Sequence, residues 1–175
     1  MIDYKRLPAL CLLGAAFTAF AANSAKPVKS IDFAQAKSGS FSVMLAFSSD
    51  PQAYFKAIDA GPQAMVALSA DAVRRGGVLN TALVFTGCKP DASQACNVSV
   101  QYKLVTSKGK ATPLPDASVW SKAAPQGSAI TPAESQMRIA IEATDPLGVY
   151  EVQANVRDLN AQTALVVKAA FTVVP

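Results

Sequence analysis

A period-two alternation of core-type and solvent-type residues recurs along most of this chain. Phe41, Val43, Leu45 and Phe47 interleave with Ser42, Met44, Ala46 and Ser48, the spacing at which an extended strand buries one face. Leu79, Thr81, Leu83 and Phe85 alternate with Asn80, Ala82, Val84 and Thr86. Cys96, Val98, Val100, Tyr102 and Leu104 alternate with Asn97, Ser99, Gln101 and Lys103. Tyr150, Val152, Ala154 and Val156 do the same with Glu151, Gln153, Asn155 and Arg157. Leu165, Val167, Ala169, Phe171 and Val173 form the inward set of a last strand. Met65 to Leu68 and Arg138 to Glu142 are weaker strand candidates. The pattern predicts about seven strands, each with one apolar face.

The connections fit that reading. Ser107 to Lys110, Asp145 to Gly148 and Asp158 to Ala161 carry Gly, Pro, Asn and Asp, whose backbone preferences suit turns. One segment has helical chemistry instead. Asp50 is placed to cap, Pro51 takes the first helical position, and Tyr54, Phe55 and Ile58 supply an inward stripe. Ala111 to Pro132 holds four prolines and little periodicity, which predicts an irregular crossing pinned by Trp120.

The first 25 residues differ. Lys5 and Arg6 precede an apolar run from Leu7 to Ala22, too short to span a bilayer comfortably. Ala19-Phe20-Ala21 or Ala22-Asn23-Ser24 offers a small-x-small cleavage site. The expectation is a signal peptide over 1–25, with export to the periplasm of a Gram-negative bacterium or beyond; an uncleaved anchor is the other reading. One domain over 26–175 remains. Cys11 leaves with the leader, so Cys88 and Cys96 form an even pair in an oxidising compartment. Seven residues rich in turn formers, Lys89 to Ala95, separate them. A bond there would staple a hairpin and contribute roughly 2.5 kcal/mol by restricting the unfolded chain. Redox-active dithiols sit two residues apart at a helix N-terminus, which this pair does not.

Seven short strands with regularly spaced turns predict an all-β fold: an immunoglobulin-like two-sheet antiparallel sandwich with one short helix. Gly148-Val149-Tyr150, leading into an alternating run to Asp158 and a final strand over Ala164 to Val173, resembles the end of such modules. Phe85-Thr86-Gly87-Cys88, the return at Cys96 through Tyr102, the lone Trp120 and Asp145-Pro146-Leu147-Gly148-Val149-Tyr150 are together similar to a group of small exported bacterial proteins of unassigned role. That resemblance implies no catalytic or binding residues.

Composition narrows the chemistry. The chain has no histidine, which removes His-activated nucleophiles, the commonest metal ligand and the usual proton shuttle. Met44, Met65 and Met137 are isolated in sequence and suit core packing. Asp116, Glu134, Glu142, Asp145 and Glu151 are the carboxylates available for glycoside hydrolysis, but no spacing pairs two of them across a cleft. Gly76-Gly77 lacks the Lys-Ser/Thr of a phosphate loop. The net charge of +4 forms no basic stripe with interleaved aromatics, so nucleic acid is not an expected partner.

The expected function is therefore non-enzymatic, without cofactor or metal and without a membrane span after cleavage. The module would bind another periplasmic or envelope protein through a sheet edge or loop surface. Trp120, beside Pro113, Pro115 and Pro125, is the candidate interface anchor; a core role is its alternative. A pilus or surface-fibre subunit would need a donor strand, and Lys26 to Phe33 is short and irregular for one. A carbohydrate-binding sandwich would need several exposed aromatics, against one Trp and four Tyr in the whole chain.

Overall fold

The computed structural model describes residues 33–126 and 129–175. The expected leader over 1–25, and all of the Lys26 to Phe33 segment but its last residue, lie outside the described residues. In chain order the elements are β1 (Ala34–Ser38), β2 (Phe41–Ser48), α1 (Pro51–Lys56), α2 (Pro62–Leu68), β3 (Ala72–Arg74), β4 (Val78–Thr86), β5 (Val98–Val105), β6 (Ala111–Trp120), β7 (Thr131–Pro132), β8 (Arg138–Ala140), β9 (Gly148–Asp158) and β10 (Thr163–Val174). One sheet runs β1-β2-β4-β7, with β8 also on β4; the other runs β3-β10-β9-β5-β6.

The two sheets face each other as a sandwich, and the alternation read from sequence decides what lies between them. Val43 and Leu45 of β2 and Leu83 and Phe85 of β4 share one core with Val98 and Val100 of β5, Val152 and Val156 of β9, and Val167 and Phe171 of β10. Burial of each such side chain is worth about 1.5–3 kcal/mol. Phe171 meets Phe47 edge-on at 5.1 Å and stacks on Tyr150 at 5.5 Å, which joins the layers. The Tyr150 hydroxyl donates to the Pro146 carbonyl at 2.9 Å, the geometry of a tyrosine corner, and holds the turn into β9.

A second, smaller core lies on the outer face of the first sheet. Ala46 and Ala82 are cross-strand partners, and their small side chains let α1 and α2 close over them with Tyr54, Ala57 and Met65. Asp50 caps α1 as expected, its Oδ1 accepting the Ala53 N–H at 3.0 Å. Met65 to Leu68, expected as a strand, belongs to α2. Pro62 opens that helix after Gly61, and Met65 is buried against the sheet.

Other expectations need correction. Ten strands are present among the described residues rather than about seven, two helices rather than one, and β3 pairs with β10 in parallel. Ala111 to Trp120 is an edge strand, β6, with two register irregularities against β5, and not an irregular crossing. Its periodicity is broken because Gln101 pairs with Asp116 and Lys103 with Pro113. Leu114 and Pro115 thus share the space opposite Tyr102, a bulge that shifts every following side chain. The edge position tolerates the prolines, since one flank of β6 has no ladder to break.

The disulfide exists, but not across a hairpin. Cys88 and Cys96 are bonded, with Cα atoms 6.0 Å apart, yet β4 lies in one sheet and β5 in the other. The bond closes the loop that carries the chain from layer to layer.

Candidate functional site

The open flank of β10 is the most distinctive surface of the sandwich. This strand of 12 residues is paired with β9 from Thr163 to Val173 without a break in register. On its other side the described residues give it β3 alone as a ladder partner, over Thr172 to Val174. The Thr172 N–H donates to the Asp71 carbonyl at 2.8 Å and the Val174 carbonyl accepts the Arg75 N–H at 3.0 Å. Even-numbered residues of β10 therefore direct their backbone groups away from β9. The unbroken register carries that parity back to Ala170, Lys168, Val166 and Ala164, all exposed, which form no ladder with any strand among the described residues, although β1 packs beside β10.

A hollow opens beside this edge because β1 is short. It begins at Ala34, opposite Leu45, so the end of β2 has no β1 partner. Among the described residues Ala70 closes on it, donating its N–H to the Phe47 carbonyl at 2.8 Å. The remaining space is about 390 Å³ and is lined by Phe33, Ala34, Leu45, Phe47, Ala70 and Ala169, with Ser69, Asp71 and Lys168 adding polar groups. A second hollow, about 420 Å³, lies at the other end of β10 beside Gly39, Cys88, Lys89 and Thr163.

The opposite edge is blunted. Pro113 and Pro115 interrupt the donors of β6, and the Glu134 N–H occupies the Val119 carbonyl at 3.0 Å. These features interrupt the hydrogen-bonding groups that an incoming strand would need along β6.

Trp120 is half-buried at the end of β6. Its ring meets Phe85 of the other sheet edge-on at 5.9 Å, and its Nε1 donates to the Ala123 carbonyl at 2.9 Å. The Lys122 ammonium lies 4.2 Å from the ring centroid. The structure does not bring Trp120 near β10.

Four of the five candidate carboxylates, Asp116, Glu134, Asp145 and Glu151, have separate partners. Asp116 pairs with Arg157 and Glu134 with Lys122. Asp145 accepts the Glu142 N–H at 2.8 Å, and Glu151 accepts from Gln153 at 2.6 Å. No group of His, Cys, Asp and Glu suited to a metal ion occurs among the described residues, and none of their helices is long and apolar enough to cross a membrane.

Two features escaped sequence reasoning. The β10 edge depends on how far β3 and β1 extend, and neither carries a strong alternation. The hydroxyl of fully buried Tyr54 has no hydrogen-bond partner by geometry. Desolvation pushes its pKa up to about 12, and the nearby Ser69 hydroxyl offsets this slightly while donating its own proton to the Met65 carbonyl.

No protein-family model matches the chain, and no curated protein matches it. Similar solved structures are distant. An alkylpurine DNA glycosylase of Pseudomonas fluorescens bound to DNA aligns at 17% identity and a TM-score of 0.37, over 60% of this chain and 28% of its own. A CARDB domain of Pyrococcus furiosus in complex with metal ions aligns at 14% and 0.40, over 60% of this chain and 81% of its own. A family 123 glycoside hydrolase from Clostridium perfringens aligns at 14% and 0.39, over 75% of this chain and 27% of its own. The chain thus spans under a third of the glycosylase and of the hydrolase. At these levels none of them bears on activity.

Proposed function

We propose that the protein is an exported, non-enzymatic β-sandwich module that binds another envelope protein by accepting an extended segment along β10. The observation that supports this reading is the row Ala164, Val166, Lys168 and Ala170, whose backbone donors and acceptors point away from β9 and form no ladder among the described residues. Main-chain hydrogen bonding to such an edge supplies affinity in strand addition, and adjacent pockets supply specificity. The internal disulfide accords with an exported protein. The absence of histidine and the separately engaged carboxylates favour a binding role over a hydrolytic one. A carbohydrate platform is less suited, because every aromatic ring among the described residues is at least half-buried.

Proline scanning with site-specific photo-cross-linking tests the proposal. A photoreactive residue at Lys168, installed in cells, should form adducts that map to one extended segment of an envelope protein. Val166→Pro removes an edge-facing N–H without touching the β9 ladder, and it should abolish the adduct while circular dichroism stays β-type. An adduct that persists in Val166→Pro, or none in the wild type, overturns the reading. Sedimentation of the purified protein as long polymers would transfer it to the surface-fibre alternative.

A further inference from the structure

We infer that the end of the sandwich where β9 begins docks on an anionic lipid surface, with Leu147 and Val149 at the headgroup boundary and the cations of two flanking turns among the phosphates. The inference is independent of strand addition at β10. Three turns come together at this end. Arg75 Nε donates to the Asp145 carbonyl at 2.8 Å, which ties the β3–β4 turn to the β8–β9 turn. On the other side, a Cβ built at Gly148 would stand 3.1 Å from the Ser107 Cβ, so the β5–β6 turn closes on the same segment. The turn from Asp145 to Gly148 therefore runs between Arg74 and Arg75 on one flank and Lys108 and Lys110 on the other, all four exposed.

Between those flanks, apolar side chains face outward. Val149 is 61% exposed, the most of any large apolar residue among the described residues, and Leu147 is 44% exposed. Val149 pairs with Thr172, and Arg74 with Val174, so half-buried Val174 continues the apolar strip towards the arginine. The three turns carry two carboxylates, Glu142 and Asp145, against four cations, which leaves this end positive. Glu151, further along β9, has Lys168 at 4.0 Å. A protein partner of standard size needs about 800 Å² and a pocket for its anchoring side chain. The hollows over β2 and β4, beside β10, and over β5 and β9 take no residue from these turns. A lipid surface needs no pocket. It accepts apolar side chains at the boundary of headgroup and acyl chain, and long cationic ones among its phosphates.

Co-sedimentation of the exported chain with vesicles tests this, using phosphatidylcholine alone or equal parts of phosphatidylcholine and phosphatidylglycerol. The chain should sediment with the anionic vesicles and not with the neutral ones. Raising salt from about 0.01 M to 0.15 M shortens the screening length from about 30 Å to about 8 Å and should release much of it. Lys108→Ala/Lys110→Ala should lower partitioning roughly 25-fold, since each cation near such a surface is worth about fivefold. Arg74→Ala, on a separate turn, should cost about fivefold by itself. Lys37→Ala/Lys89→Ala removes equal charge from the far end, where Ser38 and Thr163 line a common hollow, and should leave partitioning within about twofold. Leu147→Ser/Val149→Ser should weaken anionic-vesicle binding roughly tenfold with every cation retained. Equal binding to both vesicle types, no binding to either, or equal losses in the two lysine pairs overturns the inference. Polyglutamate binding that matches the anionic vesicles and is indifferent to Leu147→Ser/Val149→Ser assigns the patch to an acidic protein and overturns it as well.

Discussion

Asp158 accepts the Lys89 N–H at 2.7 Å across 69 residues of sequence. Its other oxygen accepts the N–H groups of Asn160 and Ala161, each at 3.1 Å. Asn160 then donates from Nδ2 to the carbonyls of Lys89 and Ala95, both at 3.0 Å. The β9–β10 turn thereby grips both legs of the loop that the disulfide closes. Two otherwise unrelated crossings are fixed to each other by one buried carboxylate and one amide.

Removal of the carboxylate leaves three backbone donors without their acceptor inside the protein. Asp158→Ala should cost about 3 kcal/mol, since hydrogen bonds to a charged group are stronger than neutral ones and stranded donors add a desolvation penalty. Asp158→Asn keeps an acceptor oxygen and should lose about half as much. Urea unfolding of the two variants measures both values. Equal losses would mean that shape, and not the acceptor charge, holds the clasp.

Cys88→Ser/Cys96→Ser should unfold more easily by about 2.5 kcal/mol, the chain-entropy value for a ring of this size. Because the clasp also holds the loop, the β-type circular dichroism should survive in the double mutant. Alkylation of the exported protein without reductant should label neither thiol. An unchanged unfolding midpoint would show that the clasp alone fixes the crossing.

The strands most legible in sequence were those with a clean two-residue period: β2, β4, β9 and β10, each buried on one face along its length. What escaped had a physical reason. The bulge at Leu114-Pro115 hid β6 by shifting its phase. β1 is Ala-rich and mostly exposed, so its pairing comes from β2 and not from its own side chains. Met65 to Leu68 is too short for its period to separate helix from strand, and only Pro62 marks the helix start. Binding through a sheet edge was an expectation, but which edge lacks a ladder could not be read, because that is a property of neighbouring strands that stop short. The disulfide was legible as a pair, but its setting between sheets was not, since local turn chemistry does not say which layer the next strand joins.

Tyr54 and Tyr102 should titrate together at high pH. Burial pushes both hydroxyls up to about 12 from an ordinary value of 10.0, with weaker opposing contributions from Ser69 and Thr81. The folded state therefore holds its phenolic protons more tightly than the unfolded chain. The associated stability is present in full below pH 10 and is lost as pH rises towards 12. Phenolate absorbance of the folded protein should lag that of the urea-unfolded protein over this window, with unfolding growing easier as pH rises. Coincident titration curves would show that both hydroxyls reach water.

Gly87 cannot carry a side chain. Its φ is +68°, and a Cβ built there would stand 2.0 Å from the Ser40 carbonyl oxygen, while the Ser40 hydroxyl donates to the Gly87 carbonyl at 3.1 Å. Gly87→Ala combines the left-handed penalty of roughly 1–2 kcal/mol with a clash against backbone. It should lower the thermal midpoint by ten degrees or more, on the order of 2–4 kcal/mol for a domain of this size. A midpoint within two degrees of wild type would require the β1–β2 turn to move away freely.

Trp120 is the residue for which a core role and an interface role make opposite predictions. Its ring bridges the two sheets through Phe85, its indole N–H is used by Ala123, and Lys122 covers a face while pairing with Glu134. A half-buried ring so engaged should contribute to stability less than a fully buried tryptophan, for which truncation costs 3–5 kcal/mol; Trp120→Ala should cost about 2 kcal/mol. Trp120→Phe keeps the ring packing and forfeits the bond to Ala123, a loss of about 1 kcal/mol. As the sole tryptophan, it also reports its own environment, and the emission of the folded protein should lie to the blue of the unfolded chain. Because Trp120 is remote from the β10 edge, both variants should keep the cross-link at Lys168. Full stability in Trp120→Ala together with loss of that cross-link would make Trp120 an interface anchor and extend the partner's footprint from β10 to β6.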